Sequence, residues 1–197
     1  MKSGLGSNIA LLAALATPLA AEALDLDPSF GNAGVKLLEF GDAEGRVTEV
    51  RGLLPDGSGG WYAYGDAFTA TRSRELYLGR FDGDGERVTG FGVQGLRRLG
   101  TTASETAGGF ALTRDGRLLL AATRNPGPGG QSSAGVVYRL SAAGSLDTGF
   151  DFDGERVLGE DAAEQLQVAA GLDGRVFAAR VGADPFPATL ERLNAQG

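Results

Sequence analysis

The stretch Leu26-Asp27-Pro28-Ser29-Phe30-Gly31 returns later in the chain as Leu146-Asp147-Thr148-Gly149-Phe150-Asp151. Between the two, Thr89-Gly90-Phe91-Gly92 occupies the same phase. The three phenylalanines, Phe30, Phe91 and Phe150, are 61 and 59 residues apart, and a glycine follows each by four residues. Self-similarity at a fixed period is the sequence signature of a repeat architecture. The sequence therefore predicts three copies of one structural unit.

Two further anchors keep nearly the same period. Asp-Gly pairs stand at 56–57, 115–116 and 173–174, and Arg-apolar pairs stand at 80–81, 139–140 and 192–193. An Asp-Gly pair between two strands predicts a hairpin with a type I′ turn, in which both central residues have positive φ. Together the anchors place the units at residues 24–85, 86–144 and 145–197.

Each unit is predicted to contain four short strands separated by turns. In the order of the chain, the predicted strands are Val35–Phe40, Val47–Leu54, Trp61–Gly65, Glu75–Phe81, Leu96–Leu99, Glu105–Thr113, Leu118–Thr123, Gly135–Leu140, Glu155–Leu158, Gln165–Ala170, Val176–Val181 and Thr189–Leu193. The runs 118–122 and 176–179 are apolar throughout, which indicates sheets that are covered on both faces. Four-stranded sheets stacked face to face are the blades of a β-propeller, so we expect an all-β, propeller-like array of three four-stranded blades.

These repeats resemble the delta-60 repeat of exported bacterial proteins. The matching parts are the L-D-x-x-F-G opening, the Asp-Gly hairpin turn and the apolar-Arg-apolar strand that leads to the next opening. The resemblance covers residues 24–197, and it departs from the pattern at Asp151, at Val88-Thr89 and in the turn Asp56-Gly57-Ser58. It implies a propeller-like fold and an extracytoplasmic setting, and it implies no catalytic residues.

Residues 1–23 have the pattern of a secretory signal peptide. Lys2 provides a positive N-terminal region, Ile9 begins a short run of alanine and leucine, and Ala21-Glu22-Ala23 forms an A-x-A cleavage site. The run is too short for a transmembrane helix and contains Pro18. We therefore expect a secreted or periplasmic protein whose mature chain begins at Leu24.

Composition excludes several classes of function. The 197 residues include no cysteine and no histidine, which excludes disulfides, thiolate nucleophiles, catalytic triads with histidine and imidazole metal sites. The 33 glycines indicate many tight turns. The formal net charge of −7 disfavours nucleic acid and anionic membrane surfaces as partners.

The most individual part of each unit is the loop between its third and fourth strands. These loops span residues 66–74, 124–134 and 182–188. In a propeller, the loops that connect the same two strands of each blade emerge on one face. They are therefore predicted to form one rim, where binding residues often lie on a fixed scaffold. The candidate ligand-binding residues of this rim are Arg72, Arg74, Arg124, Asp184 and Phe186. Unconstrained loops are the alternative, and the Pro-Gly run 126–130 suits it.

Three other features have a functional and a structural interpretation. Trp61, Tyr62 and Tyr64 could form an aromatic platform for a sugar or peptide, but packing in the core is the favoured interpretation. The segments 82–86 and 151–155 look like calcium loops, but Val93 and Ala162 stand where the chelating glutamate belongs. Solvated turns are therefore favoured, with no cofactor expected and calcium as the alternative.

The favoured function is a non-enzymatic binding module for a protein or a glycan. One alternative is a propeller hydrolase or lyase that uses carboxylates, since Glu49, Glu105 and Glu164 lie at related positions of the repeat. The other alternative is a structural segment of a longer surface protein. Three blades are fewer than the four to eight that close a propeller, so a head-to-tail homodimer is also expected.

Overall fold

The computed structural model describes residues 26–38, 48–69, 73–100, 103–125, 133–159, 163–182 and 188–197. All regular secondary structure in these ranges is β-strand. The strands are β1 (Thr48–Pro55), β2 (Trp61–Phe68), β3 (Arg74–Phe81), β4 (Leu96–Leu99), β5 (Ser104–Leu112), β6 (Leu118–Asn125), β7 (Ala134–Leu140), β8 (Glu155–Leu158), β9 (Ala163–Ala170), β10 (Val176–Gly182) and β11 (Thr189–Leu193). The all-β prediction is confirmed. No helix in these ranges is long and apolar enough to cross a membrane.

The strands form three antiparallel sheets in chain order. Sheet 1 has the order β1-β2-β3-β4, sheet 2 has the order β5-β6-β7-β8, and sheet 3 contains β9-β10-β11. The predicted and observed strand bounds agree within three residues for eleven of the twelve predicted strands. The exception is Val35–Phe40. Val35 makes only isolated bridges within its own loop, Lys36–Leu38 is not a strand, and residues 39 and 40 lie outside the described ranges.

The sheets are offset from the sequence repeats by one strand. The opening strand of the second unit, β4, pairs with β3 of the first unit, with Gly79 opposite Leu96. In the same way β8 pairs with β7, with Tyr138 opposite Glu155. The prediction that each sheet consists of the four strands of one unit is therefore wrong. The physical reason is that the long turn before each opening strand returns it to the outer edge of the preceding sheet.

Sheet 2 lies between the other two sheets. In β6, Leu118 and Leu120 belong to the core shared with sheet 1, whereas Leu119 and Ala121 belong to the core shared with sheet 3. These four side chains are fully buried, and a buried leucine contributes about 1.5–3 kcal/mol to folding. The prediction of a strand covered on both faces is confirmed for β6.

The same prediction is wrong for β10 within the described chain. Val176 and Ala178 are buried against sheet 2, but Ala179, on the opposite face, is exposed. The reason is that, among the residues the structure describes, sheet 3 has a neighbouring sheet on one side only. The three sheets are thus established, whereas their arrangement as propeller blades remains a prediction.

The hairpin turns differ in detail from the prediction. At 113–117, Gly116 has a φ of 81° and Asp115 does not have a positive φ. The backbone hydrogen bonds Thr113 N to Arg117 O and Gly116 N to Thr113 O define a three-residue loop in which a type I turn is followed by a left-handed glycine. The type I′ prediction is wrong because only one residue needs positive φ.

In the first unit, the alignment of Asp56-Gly57 with Asp115-Gly116 is wrong by two residues. The bond from Asp56 N to Gly60 O corresponds to the bond from Thr113 N to Arg117 O. Asp56 therefore occupies the position of Thr113, and Gly59, with a φ of 96°, is the counterpart of Gly116.

Candidate binding site at the innermost strands

Two of the five rim residues predicted to bind a ligand lie in the described ranges, namely Arg74 and Arg124. Arg72, Asp184 and Phe186 lie outside them. Arg74 is the first residue of β3 and Arg124 the last but one of β6, and both contact carboxylates of their own sheet. Neither is a free cation on a loop.

Arg74 belongs to an ion-pair cluster around the buried carboxylate of Asp66. Asp66 is 1% exposed and accepts hydrogen bonds from Arg74 and, at 2.9 Å, from Arg51 Nε. The Ala107 backbone N–H of sheet 2 also donates to it, at 3.2 Å. Since three donors surround this carboxylate, the cluster joins sheet 1 to sheet 2.

Glu49 lies at the exposed side of the same cluster. Arg74 donates to both of its oxygens, at 3.2 and 3.3 Å, and Arg51 contacts it at 2.5 Å. The hydrogen bond from Arg74 holds the pKa of Glu49 below its ordinary value, with a smaller contribution from the charge of Arg51. Glu49 is therefore ionised at neutral pH.

Arg124 belongs to the equivalent cluster of sheet 2. Its Nε donates to Glu105 at 2.6 Å, and Glu105 is fully buried. Arg124 also contacts Glu155 at 2.7 Å, and the Tyr138 hydroxyl donates to Glu105 at 2.8 Å. Burial and the neighbouring Glu105 charge raise the pKa of Tyr138 well above its usual range. Arg124 is thus held by two carboxylates of its own sheet, and its role in ligand binding stays a prediction.

The three residues of the predicted aromatic platform do not share one face, because strand alternation separates Trp61 from Tyr62 and Tyr64. Tyr62 is 3% exposed and lies in the core between sheets 1 and 2. Tyr64 stacks on Phe110 and its hydroxyl donates to the Gly108 carbonyl at 3.2 Å. Trp61 points to the other face of the sheet, where it stacks on Phe81 at 4.5 Å between ring centroids. The packing interpretation is the one that the contacts support.

The calcium-like segments adopt turns. Asp82 Oδ1 accepts the backbone N–H of Asp84 at 3.1 Å and of Glu86 at 2.8 Å, so the carboxylate stabilises its own loop. In the second segment Asp153 accepts the N–H of Glu155. Within the described ranges no three acidic side chains are grouped as metal ligands.

A polar cavity of about 270 Å³ opens where the innermost strands of the three sheets meet. It is lined by one residue of β1, three of β5, one of β6 and two of β9, namely Arg51, Thr106, Ala107, Gly108, Thr123, Gln165 and Gln167. Gln165 and Gln167 are exposed. Neither of their amides is hydrogen-bonded to another residue of the described ranges, so both are available to a ligand.

Local backbone irregularities shape this cavity. Arg51 occupies a β-bulge of β1, which turns its side chain toward Asp66. Gly108 lies in a bulge of β5, where a Cβ atom would come within 2.0 Å of the Leu166 carbonyl oxygen. Because only glycine fits there, β5 and β9 approach closely enough to form one wall.

Sequence reasoning missed the cavity residues. The available signal was the alternation of polar and apolar residues in the innermost strands, as in Gln165-Leu166-Gln167. Leu166 is fully buried while its two neighbours face outward. The convergence of three such strands at one cavity depends on how the sheets pack.

The sequence matches no protein-family model and no curated protein. The similarity to delta-60 repeats accordingly rests on the repeated residues themselves.

Proposed function

We propose that this chain is a non-enzymatic, extracytoplasmic binding module of the propeller type, and that it binds a glycan in the polar cavity at the innermost strands. The observation that carries the proposal is the pair of unengaged amides of Gln165 and Gln167 beside the hydroxyls of Thr106 and Thr123. Amides and hydroxyls both donate and accept hydrogen bonds, and sugar hydroxyls do the same. A few convergent polar groups in a concave site are typical of ligand recognition.

The ionic state of the nearby carboxylates favours binding over hydrolysis. A hydrolase with two carboxylates needs one that holds a proton near neutral pH. The pKa of Glu49 is instead lowered by Arg74, and the Asp66 and Glu105 carboxylates are occupied by arginines. A propeller hydrolase or lyase and a structural segment of a longer surface protein are the alternative functions.

The test is binding to an array of soluble neutral and acidic oligosaccharides. We expect the wild-type chain to retain a subset of these glycans and the Gln165→Ala/Gln167→Ala double variant to lose them. Gln196→Ala is the matched control, because its exposed side chain lies away from the cavity.

Three results would contradict the proposal. They are an absence of glycan binding, equal binding by all three proteins, and binding of a protein ligand alone. Cleavage of the bound glycans that disappears in Glu49→Gln would favour the hydrolase instead.

A further inference from the structure

The repeat geometry extends into residues 26–38, although these residues belong to no sheet. In the openings of the second and third units, Phe91 N donates to Val88 O and Phe150 N donates to Asp147 O, both at 2.9 Å. Phe30 N donates to Asp27 O at 3.1 Å in the same way. The bond from the following glycine to the phenylalanine carbonyl also recurs, as in Gly34 N to Phe30 O at 2.8 Å.

Each opening phenylalanine also packs on a glycine of the following sheet. A Cβ atom on Gly144 would lie 2.9 Å from the Phe91 ring, and one on Gly197 would lie 3.4 Å from the Phe150 ring. A Cβ atom on Gly85 would lie 3.0 Å from the Phe30 ring. Phe30 is therefore seated on sheet 1 as Phe91 is seated on sheet 2.

In the other two openings, the residues that follow form the fourth strand of the preceding sheet. Leu96–Leu99 pairs with β3 and Glu155–Leu158 pairs with β7. The corresponding residues of the first opening are Val35–Leu38, which lie five to eight positions after their phenylalanine, as β4 and β8 do. Val35 is 59% exposed and Leu37 is 83% exposed, and no described strand pairs with this segment.

The complementary gap lies at the opposite end of the array. Sheet 3 ends on β11, whose outer edge has no partner strand among the described residues. Leu190 in β11 is 72% exposed, whereas its counterparts Leu78 and Val137 are fully buried. Among the described residues, sheet 3 therefore has no fourth strand and no sheet against its outer face.

The outer face of sheet 1 is largely buried, with Ala63, Tyr77 and Phe81 in one cluster, but Leu53 of β1 is 62% exposed. An apolar cavity of about 490 Å³ lies between the first opening and this face, and its lining includes Leu38, Leu53 and Trp61. Thus one end of the array presents the unpaired segment Val35–Leu38, and the other end presents, among the described residues, the unpaired edge of β11 with the exposed Leu190.

We infer that β11 of one copy is completed by Val35–Leu38 of a second copy of this chain. Transfer of the register of β3–β4 and β7–β8 places Glu191 opposite Val35, Leu190 opposite Lys36 and Thr189 opposite Leu37. Two copies joined reciprocally contain six sheets, which is within the four to eight of closed propellers. The inference does not depend on the ligand of the cavity.

Disulfide trapping between two singly substituted chains tests this register, because the natural chain contains no cysteine. Full-length Val35→Cys and Glu191→Cys proteins are mixed and oxidised. Opposed residues of antiparallel strands have Cα atoms about 4.5–5.5 Å apart, which a disulfide spans. We expect a covalent heterodimer as the main product.

The control replaces the second protein with Leu190→Cys. A shift of one residue moves the thiol to the other face of the sheet, so we expect little heterodimer. Equal trapping of both pairs, or none of either, would overturn the inference. So would a disulfide within single chains of the Val35→Cys/Glu191→Cys double variant, because the chain would then close on itself.

Discussion

At the scale of single residues, Gly116 shows most clearly how this sequence encodes its turns. Its φ of 81° lies in the left-handed region, and a Cβ atom there would meet no atom within 4 Å. The requirement for glycine is therefore conformational and not steric.

We predict that Gly116→Val lowers the free energy of unfolding by about 1–2 kcal/mol or more, because β-branched residues are outliers at positive φ. Arg117→Ala should cost about 0.2–1 kcal/mol, since its ion pair with Asp115 is half exposed. Gly116→Asn is the control, because asparagine tolerates the left-handed region. Thermal unfolding measures all three, and equal melting temperatures for the valine and alanine variants would refute the turn.

Asp56 provides a second prediction at this scale. Its side chain is 2% exposed, and burial alone raises its pKa. Hydrogen bonds from Ser58 N–H at 2.8 Å, from Arg80 and from Gly60 outweigh that effect and hold the pKa of Asp56 well below its ordinary value. A depressed carboxyl pKa stabilises the fold above the unfolded pKa of about 3.9, and this stabilisation is lost as the pH falls.

We therefore expect Asp56→Asn to lower the free energy of unfolding at pH 7 by about 1.5–3 kcal/mol, because a charged hydrogen bond to Arg80 is lost. The variant should also lose less stability than the wild type between pH 4 and pH 2. Urea unfolding across this range measures both effects. Parallel stability curves for the two proteins would show that Asp56 is not the responsible group.

At the scale of strands and sheets, the sequence predicted where the strands lie better than which strands pair with each other. The bounds of β4, β8 and β11 were predicted without error, because alternation and turn residues are local signals. The transfer of each opening strand to the preceding sheet was not predictable, because it depends on a long-range pairing such as Leu76 with Leu99. The prediction placed Arg74 and Arg124 in rim loops, because their ion pairs with Asp66 and Glu105 also depend on how the strands pair.

The ion-pair cluster in sheet 2 allows the interaction between Arg124 and Glu105 to be measured directly. Arg124→Leu leaves the Glu105 carboxylate buried without its cation, and removal of one partner of a buried pair costs about 3–5 kcal/mol. We predict that adding Glu105→Gln recovers part of this loss, because the uncompensated charge disappears. Chemical unfolding of both single variants and the double variant completes the cycle. Additive losses would mean that the two residues do not interact.

At the scale of the whole molecule, sheet 2 is covered on both sides, and Ala63 and Phe81 are buried on the outer face of sheet 1. On the outer face of sheet 3, by contrast, Ala179 and Leu190 are exposed. Exposed apolar faces of this kind typically mark contact surfaces. The repeat pattern predicted an open face at each end of the array, and the exposed Leu190 agrees with this for sheet 3 but the buried Phe81 does not for sheet 1. It could not predict that Val35–Leu38 would belong to no described sheet while Lys36 forms an ion pair with Glu86.

Leu190 and Leu172 make a matched pair for testing the assembly, because they are 72% and 85% exposed in the single chain. Leu190 faces the predicted partner, whereas Leu172 lies in the turn after β9. Burial of a leucine contributes about 1.5–3 kcal/mol. We therefore expect Leu190→Asp to weaken self-association by at least about tenfold. Leu172→Asp should leave it unchanged, as measured by sedimentation equilibrium, and equal weakening by both variants would contradict the interface.

The most direct test of the central claim is the molar mass of the purified protein in solution, measured by light scattering over a range of concentrations. The account predicts a species of twice the chain mass, which for the full 20.2 kDa chain is about 40 kDa, and its dissociation on dilution. A monodisperse monomer at every concentration would contradict it, because Leu190 and the segment Val35–Leu38 would then stay exposed without a partner.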